Sequence, residues 1–218
     1  MKKLSELFHL CAYDIHYEQT GHDVNYAFLE DGETLYIFFE GSGSTTDWIR
    51  NFLFRKKPYK DMEIPYYVHR GFLAAWKEVE DIIINKISNP AYKQIVTIGY
   101  SHGGALAGLC HECVWYWRPD IRENIWGFGF EGPRFYAGFK VKKQLKERWE
   151  QFYIIRDNQD IVTHCPPRLF GYCHVGSIVK IHGNKKLVDK WYLPGCIKSH
   201  YPQVVYDGLV KEENKNTK

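Results

Sequence analysis

The sequence predicts a three-layer α/β fold, in which helices cover both faces of a mostly parallel central sheet. From residue 94 onward, β-rich runs alternate with helical ones, and strands joined by helices pair in parallel through right-handed crossovers. Before that alternation, residues 24–40 contain two β-rich runs around Asp31-Gly32, a dipeptide favoured in tight turns. They predict an N-terminal antiparallel hairpin that leads into the sheet.

Each element has local support in the chain. The first 20 residues mix apolar and polar positions and predict a short amphipathic helix. Residues 71–89 carry apolar side chains at helical spacing, and Pro90 follows, so one long amphipathic helix is expected there. The remaining predictions, in chain order, are a strand at 94–100, a helix at 102–117 ended by Pro119, a strand at 125–131, a basic helix near 140–149, and strands at 151–157 and 176–183, followed by a last helix at 199–210.

Length and composition predict one globular domain over residues 1–210. The chain has 218 residues, of which 44% are hydrophobic and 25% charged, as in a packed protein. Residues 211–218 are polar and are expected to form a disordered tail. The 29 basic and 26 acidic residues nearly balance, which argues against a nucleic-acid partner.

The sequence shows no apolar run long enough for a membrane span and no secretory signal at its N-terminus. The six cysteines have irregular spacing, which is typical of reduced thiols rather than of a disulfide framework. These features predict a cytoplasmic protein. The oligomeric state cannot be predicted from them.

The segment "VTIGYSHGGAL" contains the pattern G-x-S-x-G, formed by Gly99, Ser101 and Gly103. A serine between a buried strand and a helix of small residues can sit on a strained turn that presents its hydroxyl above the sheet. Because a serine hydroxyl is a weak nucleophile, it needs a base, an acid that orients the base, and donors for an oxyanion. The pattern therefore predicts a nucleophile if the chain supplies these partners.

The partners are expected after residue 101, since the order in this kind of site is serine, acid, histidine. Asp157 and Asp160 follow a predicted strand and are both candidates for the acid. The histidines beyond them rank only weakly on physical grounds: His200 starts the final helix after a Gly-containing loop, and His182 lies at a strand end. The candidates for the base are His164, His174, His182 and His200.

Several separated motifs resemble those of the class 3 lipases, the fungal-lipase type of α/β-hydrolase, in the order in which that family has them. The resemblance covers roughly residues 20–208. The motifs are "IFFEGSGSTTDWIRNF", which resembles the oxyanion-strand segment, "VHRGFLAAW", the elbow "GYSHGGALAGL", "GFGFEGPRF" and the acid segment "NQDIVTHCPPRLFGYCHVGSIVKI".

Position by position, the resemblance implies an α/β-hydrolase fold with Ser101 as nucleophile, Asp160 as acid and His200 as base. His174 falls on the family's structural histidine, and the backbone N–H groups of Ser42 and His102 would form the oxyanion hole. The implied activity is hydrolysis of carboxylic esters, with an ester or lipid as substrate and with no metal or organic cofactor.

Several other interpretations stay open. The same scaffold could serve a phospholipase, a thioesterase, an amidase or a catalytically silent module that binds lipid or protein. The pair "CHEC" at 110–113 has metal-site spacing, but no second pair accompanies it. Residues 48–60 mix aromatic and basic side chains and predict either a weak contact with a lipid surface or a solvated loop.

Overall fold

The predicted alternation of strands and helices is present in the computed structural model, which describes residues 2–20, 24–41, 54–60 and 63–215. The strands described are β1 (Glu18–Gln19), β2 (Asn25–Asp31), β3 (Thr34–Phe39), β4 (Lys56–Tyr59), β5 (Tyr66–His69), β6 (Gln94–Tyr100), β7 (Ile125–Phe130), β8 (Tyr136–Ala137), β9 (Phe152–Asp157) and β10 (Ser177–Ile181). The α-helices described are α1 (Leu4–His9), α2 (Arg70–Ile87), α3 (His102–Trp117), α4 (Gly195–Lys198) and α5 (Pro202–Lys215).

The described strands form a main sheet in the order β1-β2-β3-β6-β7-β9-β10. The pairs from β3 to β10 are all parallel, whereas β1, β2 and β3 pair antiparallel. The predicted hairpin is therefore confirmed as β2 and β3, with Gly32 at φ 60° in its two-residue turn. Parallel pairing brings the carboxyl ends of β3, β6, β7, β9 and β10 to one edge of the sheet.

Helices cover both faces of this sheet, which makes the three predicted layers. On one face α2 and α3 pack over a core that includes Ile95, Trp76 and Leu109. On the other face α1 and α5 pack over a second core that includes Phe8 and Val205. Apolar side chains on both sides of the parallel strands are the reason that these strands read as continuous apolar runs.

A second, smaller sheet lies beside the main one in the order β4-β5-β8, with antiparallel pairing. Its first strand includes residues 56–59, which belong to the segment 48–60 predicted as a lipid contact or a loop. Tyr59 is fully buried, so this part of the segment is committed to the fold. Residues 48–53 lie outside the described residues.

Two elements differ from the prediction. The basic segment near 140–149 is a 3₁₀ helix over Lys143–Trp149. Arg148 is buried there and forms an ion pair with Glu112, in which its NH1 atom lies 2.5 Å from Glu112 Oε1. The last helix, α5, continues to Lys215, so residues 211–215 of the predicted disordered tail are helical. The Glu213 carboxylate accepts hydrogen bonds from the backbone N and the Oγ of Ser5, which ties the end of α5 to α1.

Among the helices of the described residues, none is both long enough and apolar enough to cross a membrane.

Candidate active site

Ser101 lies on the sharp turn between β6 and α3. Its backbone has φ 55° and ψ −122°, a conformation that strains a residue with a side chain. The turn is fixed because the Ser101 N–H donates to the carbonyl of Phe130 at 2.9 Å and the Ser101 carbonyl accepts from the N–H of Gly104, also at 2.9 Å. The serine therefore stands at the carboxyl edge of the sheet, above β6.

The two glycines of the motif allow the start of α3 to approach the strands closely; neither has a left-handed backbone conformation. A Cβ atom on Gly99 would lie 2.0 Å from the carbonyl oxygen of Gly103. A Cβ atom on Gly103 would lie 2.1 Å from the carbonyl oxygen of Phe39, at the end of β3. The start of α3 can pack directly onto β6 and β3 only because both side chains are absent.

Ser101, His200 and Asp160 form a hydrogen-bonded chain in the structure. The Ser101 Oγ lies 2.8 Å from His200 Nε2, and His200 Nδ1 lies 2.5 Å from Asp160 Oδ2. In this arrangement the serine hydroxyl donates to Nε2, while Nδ1–H donates to the carboxylate. The three residues are 4%, 3% and 0% exposed, respectively, so water does not compete for these bonds.

The loop after β9 holds the Asp160 carboxylate in place. Its Oδ1 atom accepts a hydrogen bond from the Val162 N–H at 2.9 Å, which leaves Oδ2 for His200. Its backbone carbonyl accepts from Thr163 Oγ1 at 3.0 Å. Further along, Arg134 NH1 donates to the carbonyls of His164 and Pro166 at 2.7 and 3.0 Å. The loop is thus bonded at both ends, and this orders the carboxylate.

Tyr100 positions His200, a contact that the sequence did not predict. The Tyr100 hydroxyl donates to the backbone carbonyl of His200, and its ring stacks on the imidazole with centroids 5.2 Å apart at 22°. Because Tyr100 directly precedes Ser101, one strand end carries both the serine and the support for the histidine. The position of Tyr100 directly before the motif serine was the sequence feature that could have indicated this role.

Glu131 is a second residue that the sequence did not predict. It follows β7 with φ 47°, is fully buried, and its Oε1 accepts from the Asp157 N–H at 2.7 Å. Burial raises the pKa of Glu131 well above its usual range, and the charge of Asp160 raises it further. Burial therefore favours the neutral form of this carboxyl, and its Oε2 atom has no hydrogen-bond partner among the described residues.

The other candidates for the acid and the base lie elsewhere. Asp157 Oδ1 accepts from the Gln159 N–H at 2.8 Å and is not bonded to a histidine. The Nε2 atoms of His164 and His174 lie 2.9 Å from the carbonyl of Asn158 and 2.8 Å from that of Thr163, respectively. His182 is exposed just after β10. Of these candidates, His200 and Asp160 are the ones brought to Ser101.

Of the two predicted oxyanion donors, only His102 lies within the described residues; Ser42 lies outside them. His102 is the first residue of α3, so the helix has no carbonyl one turn earlier to accept its N–H. Its ring packs against Phe72, with centroids 5.3 Å apart. Burial, together with the charge of His69, lowers the pKa of His102 to about 4, so the side chain is neutral.

The "CHEC" segment lies inside α3. Cys110 and Cys113 are fully buried, and all six cysteines of the chain are free thiols. Burial raises the pKa of both the Cys110 and the Cys113 thiol well above the usual range. Within the described ranges, no group of three or more His, Cys, Asp or Glu side chains is placed to hold a metal ion.

Comparison with known proteins gives relatives for this fold. A family model described as Lipase (class 3) matches residues 36–170. A lipase of Rhizomucor miehei is 30% identical over 155 residues, which are 66% of this chain and 41% of that protein. Secreted mono- and diacylglycerol lipase 1 of Fusarium solani is 32% identical over 170 residues, which are 74% of this chain and 47% of that protein. The chain spans less than half the length of these two relatives.

Solved structures agree with these relatives. Lipase II from Rhizopus niveus is 27% identical, with a TM-score of 0.64 over 73% of this chain and 62% of that one. A triacylglycerol lipase whose catalytic centre is formed by a serine protease triad has a TM-score of 0.70 at 22% identity, over 89% of this chain and 82% of that one. These likenesses show that the fold is that of the α/β-hydrolases, as predicted.

Proposed function

Because the chain belongs to the class 3 lipase family, we propose that it hydrolyses carboxylic esters of lipids, with Ser101 as nucleophile, His200 as base and Asp160 as orienting acid. The observation that carries the proposal is the buried chain of hydrogen bonds from Ser101 Oγ through His200 to Asp160. A serine that donates to an unprotonated imidazole is ready to lose its proton as it attacks.

The reaction runs in two halves through an acyl-enzyme. Ser101 Oγ bonds to the ester carbonyl carbon while His200 Nε2 takes the serine proton, and His200 then gives that proton to the leaving alkoxide. In the second half, water gives a proton to His200 and attacks the acyl carbon, and the proton returns to Ser101 as the acid leaves. Asp160 holds the imidazole through Nδ1–H and stabilises the charge that forms on it.

The oxyanion hole is assigned to the backbone N–H of His102 together with that of Ser42. The His102 N–H has no helical acceptor and follows the nucleophile directly, so it can donate to the carbonyl oxygen under attack. The assignment of Ser42 rests on the sequence alone. Since each such donor is worth about a hundredfold or more in rate, both are needed for efficient turnover.

We assign acylglycerols or related lipid esters as the substrate class. The mono- and diacylglycerol lipase among the relatives supports this class over a phospholipid, a thioester or an amide. The ordered hydrogen bonds of the Ser101, His200 and Asp160 side chains argue against a silent binding module. The same relative is secreted, which favours a location outside the cell over the cytoplasmic one predicted from the sequence.

Labelling with a fluorophosphonate probe tests this function. We expect one probe molecule per chain in the wild type, and no labelling and no ester hydrolysis in Ser101→Ala. The matched control is Ser88→Ala, an exposed serine whose Oγ donates to the carbonyl of Ile84. Labelling that survives in Ser101→Ala would overturn the assignment. A panel of esters of graded acyl length, with a phospholipid, a thioester and an amide, then identifies the substrate.

A further inference from the structure

A cavity of about 730 Å³ lies beside the loop that follows β9. Ser101, His200 and Asp160 are not among its described lining residues. Its described lining comes from residues 139–150, from Arg156 on β9, from residues 173–178 around the start of β10, and from Arg134 and Arg168. Its volume is within the range of about 300–1,000 Å³ that is typical of small-molecule sites. Neither the family resemblance nor ester hydrolysis accounts for it.

The charge of this cavity is strongly positive. Two carboxylates, those of Glu147 and Glu150, also line it. In the described part of the chain, none of its cationic side chains forms a salt bridge with a carboxylate. The cationic side chains that line it are those of Arg134, Lys140, Lys143, Lys146, Arg156 and Arg168.

Arg156 is the buried centre of this charge. Its Nε and NH1 atoms are fully buried and have no hydrogen-bond partner among the described residues. The charge of Asp160 also acts on Arg156, but among the described residues no carboxylate lies within salt-bridge distance of it. Buried donors of a guanidinium without an acceptor are costly, and an anion in the cavity would satisfy them.

The three arginines repel one another in the absence of an anion. Burial lowers the pKa of Arg134, and the charges of Arg156 and Arg168 lower it further. A single carboxylate would neutralise only part of this charge, whereas a phosphate dianion matches the planar forks of several guanidinium groups. Apolar side chains, among them Phe139 and Ile178, also line the cavity and leave room for an uncharged part of the ligand.

We propose that this cavity is a binding site for a phosphate monoester, held by Arg156, Arg134 and Arg168 with the lysines at its rim. The site is separate from ester hydrolysis and does not depend on the proposed function. The phosphate monoester can be a free metabolite or the headgroup of a lipid, since both present the same dianion.

Binding of soluble phosphate monoesters tests the proposal. The probes are sn-glycerol 3-phosphate and inositol trisphosphate, measured by titration calorimetry at low ionic strength, where charge contacts are least screened. We expect both probes to bind the wild type. The double variant Lys143→Gln/Lys146→Gln should bind each probe with a Kd at least about tenfold higher, because two cations are lost. The matched control, Lys186→Gln/Lys211→Gln, has the same change in charge at exposed positions outside the cavity and is expected to keep the wild-type affinity.

Because Lys143 and Lys146 are exposed, their double variant is expected to fold, and its thermal melt checks this. Vesicles of phosphatidylcholine with phosphatidic acid identify the source of the phosphate, and phosphatidylglycerol vesicles control for charge without a monoester. Binding to phosphatidic acid that glycerol 3-phosphate displaces supports a headgroup, and binding of the soluble esters alone supports a free ligand. The proposal is overturned if no probe binds, if the two double variants lose affinity equally, or if phosphatidylglycerol binds as well as phosphatidic acid.

Discussion

Asp157 and Asp160 lie three residues apart, but their carboxylates have different partners. Asp160 Oδ2 accepts from His200, whereas Asp157 Oδ1 accepts only from the backbone N–H of Gln159. In Asp160→Asn, Oδ1 keeps its bond to Val162 and the new NH₂ group faces Nδ1, which favours the wrong tautomer of His200. We expect the kcat for ester hydrolysis to fall by about 10⁴-fold.

Asp157→Asn is the matched control, because an asparagine oxygen can still accept from Gln159. It should reduce kcat by no more than a few-fold, and circular dichroism should show both variants folded. Equal losses of kcat in the two variants would contradict the choice of Asp160.

Glu131 gives a prediction for the pH dependence of stability. Its pKa is higher in the folded chain than the unfolded value of about 4.3, so the stabilisation from the neutral carboxyl is complete below that value and is lost as the pH rises through the folded pKa. Glu131→Gln stays neutral, and its amide oxygen can still accept from the Asp157 N–H. We expect its melting temperature to gain on that of the wild type as the pH rises above the unfolded value of about 4.3, with kcat/KM kept within a few-fold.

Glu131→Ala provides the contrast, because it leaves the buried Asp157 N–H without an acceptor, at a cost of about 1–3 kcal/mol. If instead the wild type gains stability over Glu131→Gln as the pH rises, the folded chain does not raise the pKa of this carboxyl.

The residues of the site differ in how far the sequence could predict them. Ser101 follows from a local pattern, but Asp160 and His200 lie 40 residues apart and His200 lies 99 residues from Ser101, so physical reasoning alone left several candidates for each. The family resemblance selected the pair. Glu131 was not predicted because its backbone has a positive φ, a conformation that a sequence predicts for glycine and not for glutamate.

At the scale of elements, the close packing of α3 against β6 and β3 predicts that the motif glycines tolerate no side chain. Gly99→Ala and Gly103→Ala would place a methyl group about 2 Å from a backbone carbonyl oxygen, at 2.0 and 2.1 Å respectively. Backbone must move, so each should lower the free energy of unfolding by about 3 kcal/mol or more and abolish ester hydrolysis through the displaced serine.

The matched control is Gly195→Ala at the start of α4, where a Cβ atom would meet nothing closer than the Lys185 side chain at 3.8 Å. It should leave both the melting temperature and the activity near those of the wild type. A Gly103→Ala protein with wild-type stability would contradict the packing described for the turn.

Local sequence signals predicted the bounds of elements that depend on neighbouring residues. They missed the features that depend on contacts between residues far apart in the chain. Helix α3 ends at Trp117, two residues before Pro119, as the sequence indicates. The end of α5 was missed because the tail composition is polar, while the Glu213 contact to Ser5 spans 208 residues. Likewise, the burial of Arg148 was missed, because nothing local shows that Glu112 of α3 lies beside it.

For the whole molecule, the described part of the segment 48–60, predicted as a lipid contact or a solvated loop, is held in the fold. β4 pairs with β5, and Tyr59 is fully buried, so residues 56–59 are not free to swing as a lid. We therefore expect measurable turnover of p-nitrophenyl butyrate in solution, with only modest activation by an emulsion. A rate near zero below the solubility limit that rises steeply above it would show that a lid closes the site.

Contact with a lipid surface should then come from apolar side chains near the carboxyl edge of the sheet. Trp191 is 90% exposed on the stretch between β10 and α4 that leads to His200, and it packs edge to face on Tyr192. Burial of such a side chain in an interface favours binding. Trp191→Ser should raise the apparent KM for emulsified acylglycerol several-fold and leave p-nitrophenyl butyrate turnover unchanged. Trp117→Ser is the matched control, since Trp117 is 51% exposed and packs on Tyr116 at the far end of α3; an equal effect of both variants would contradict a specific contact.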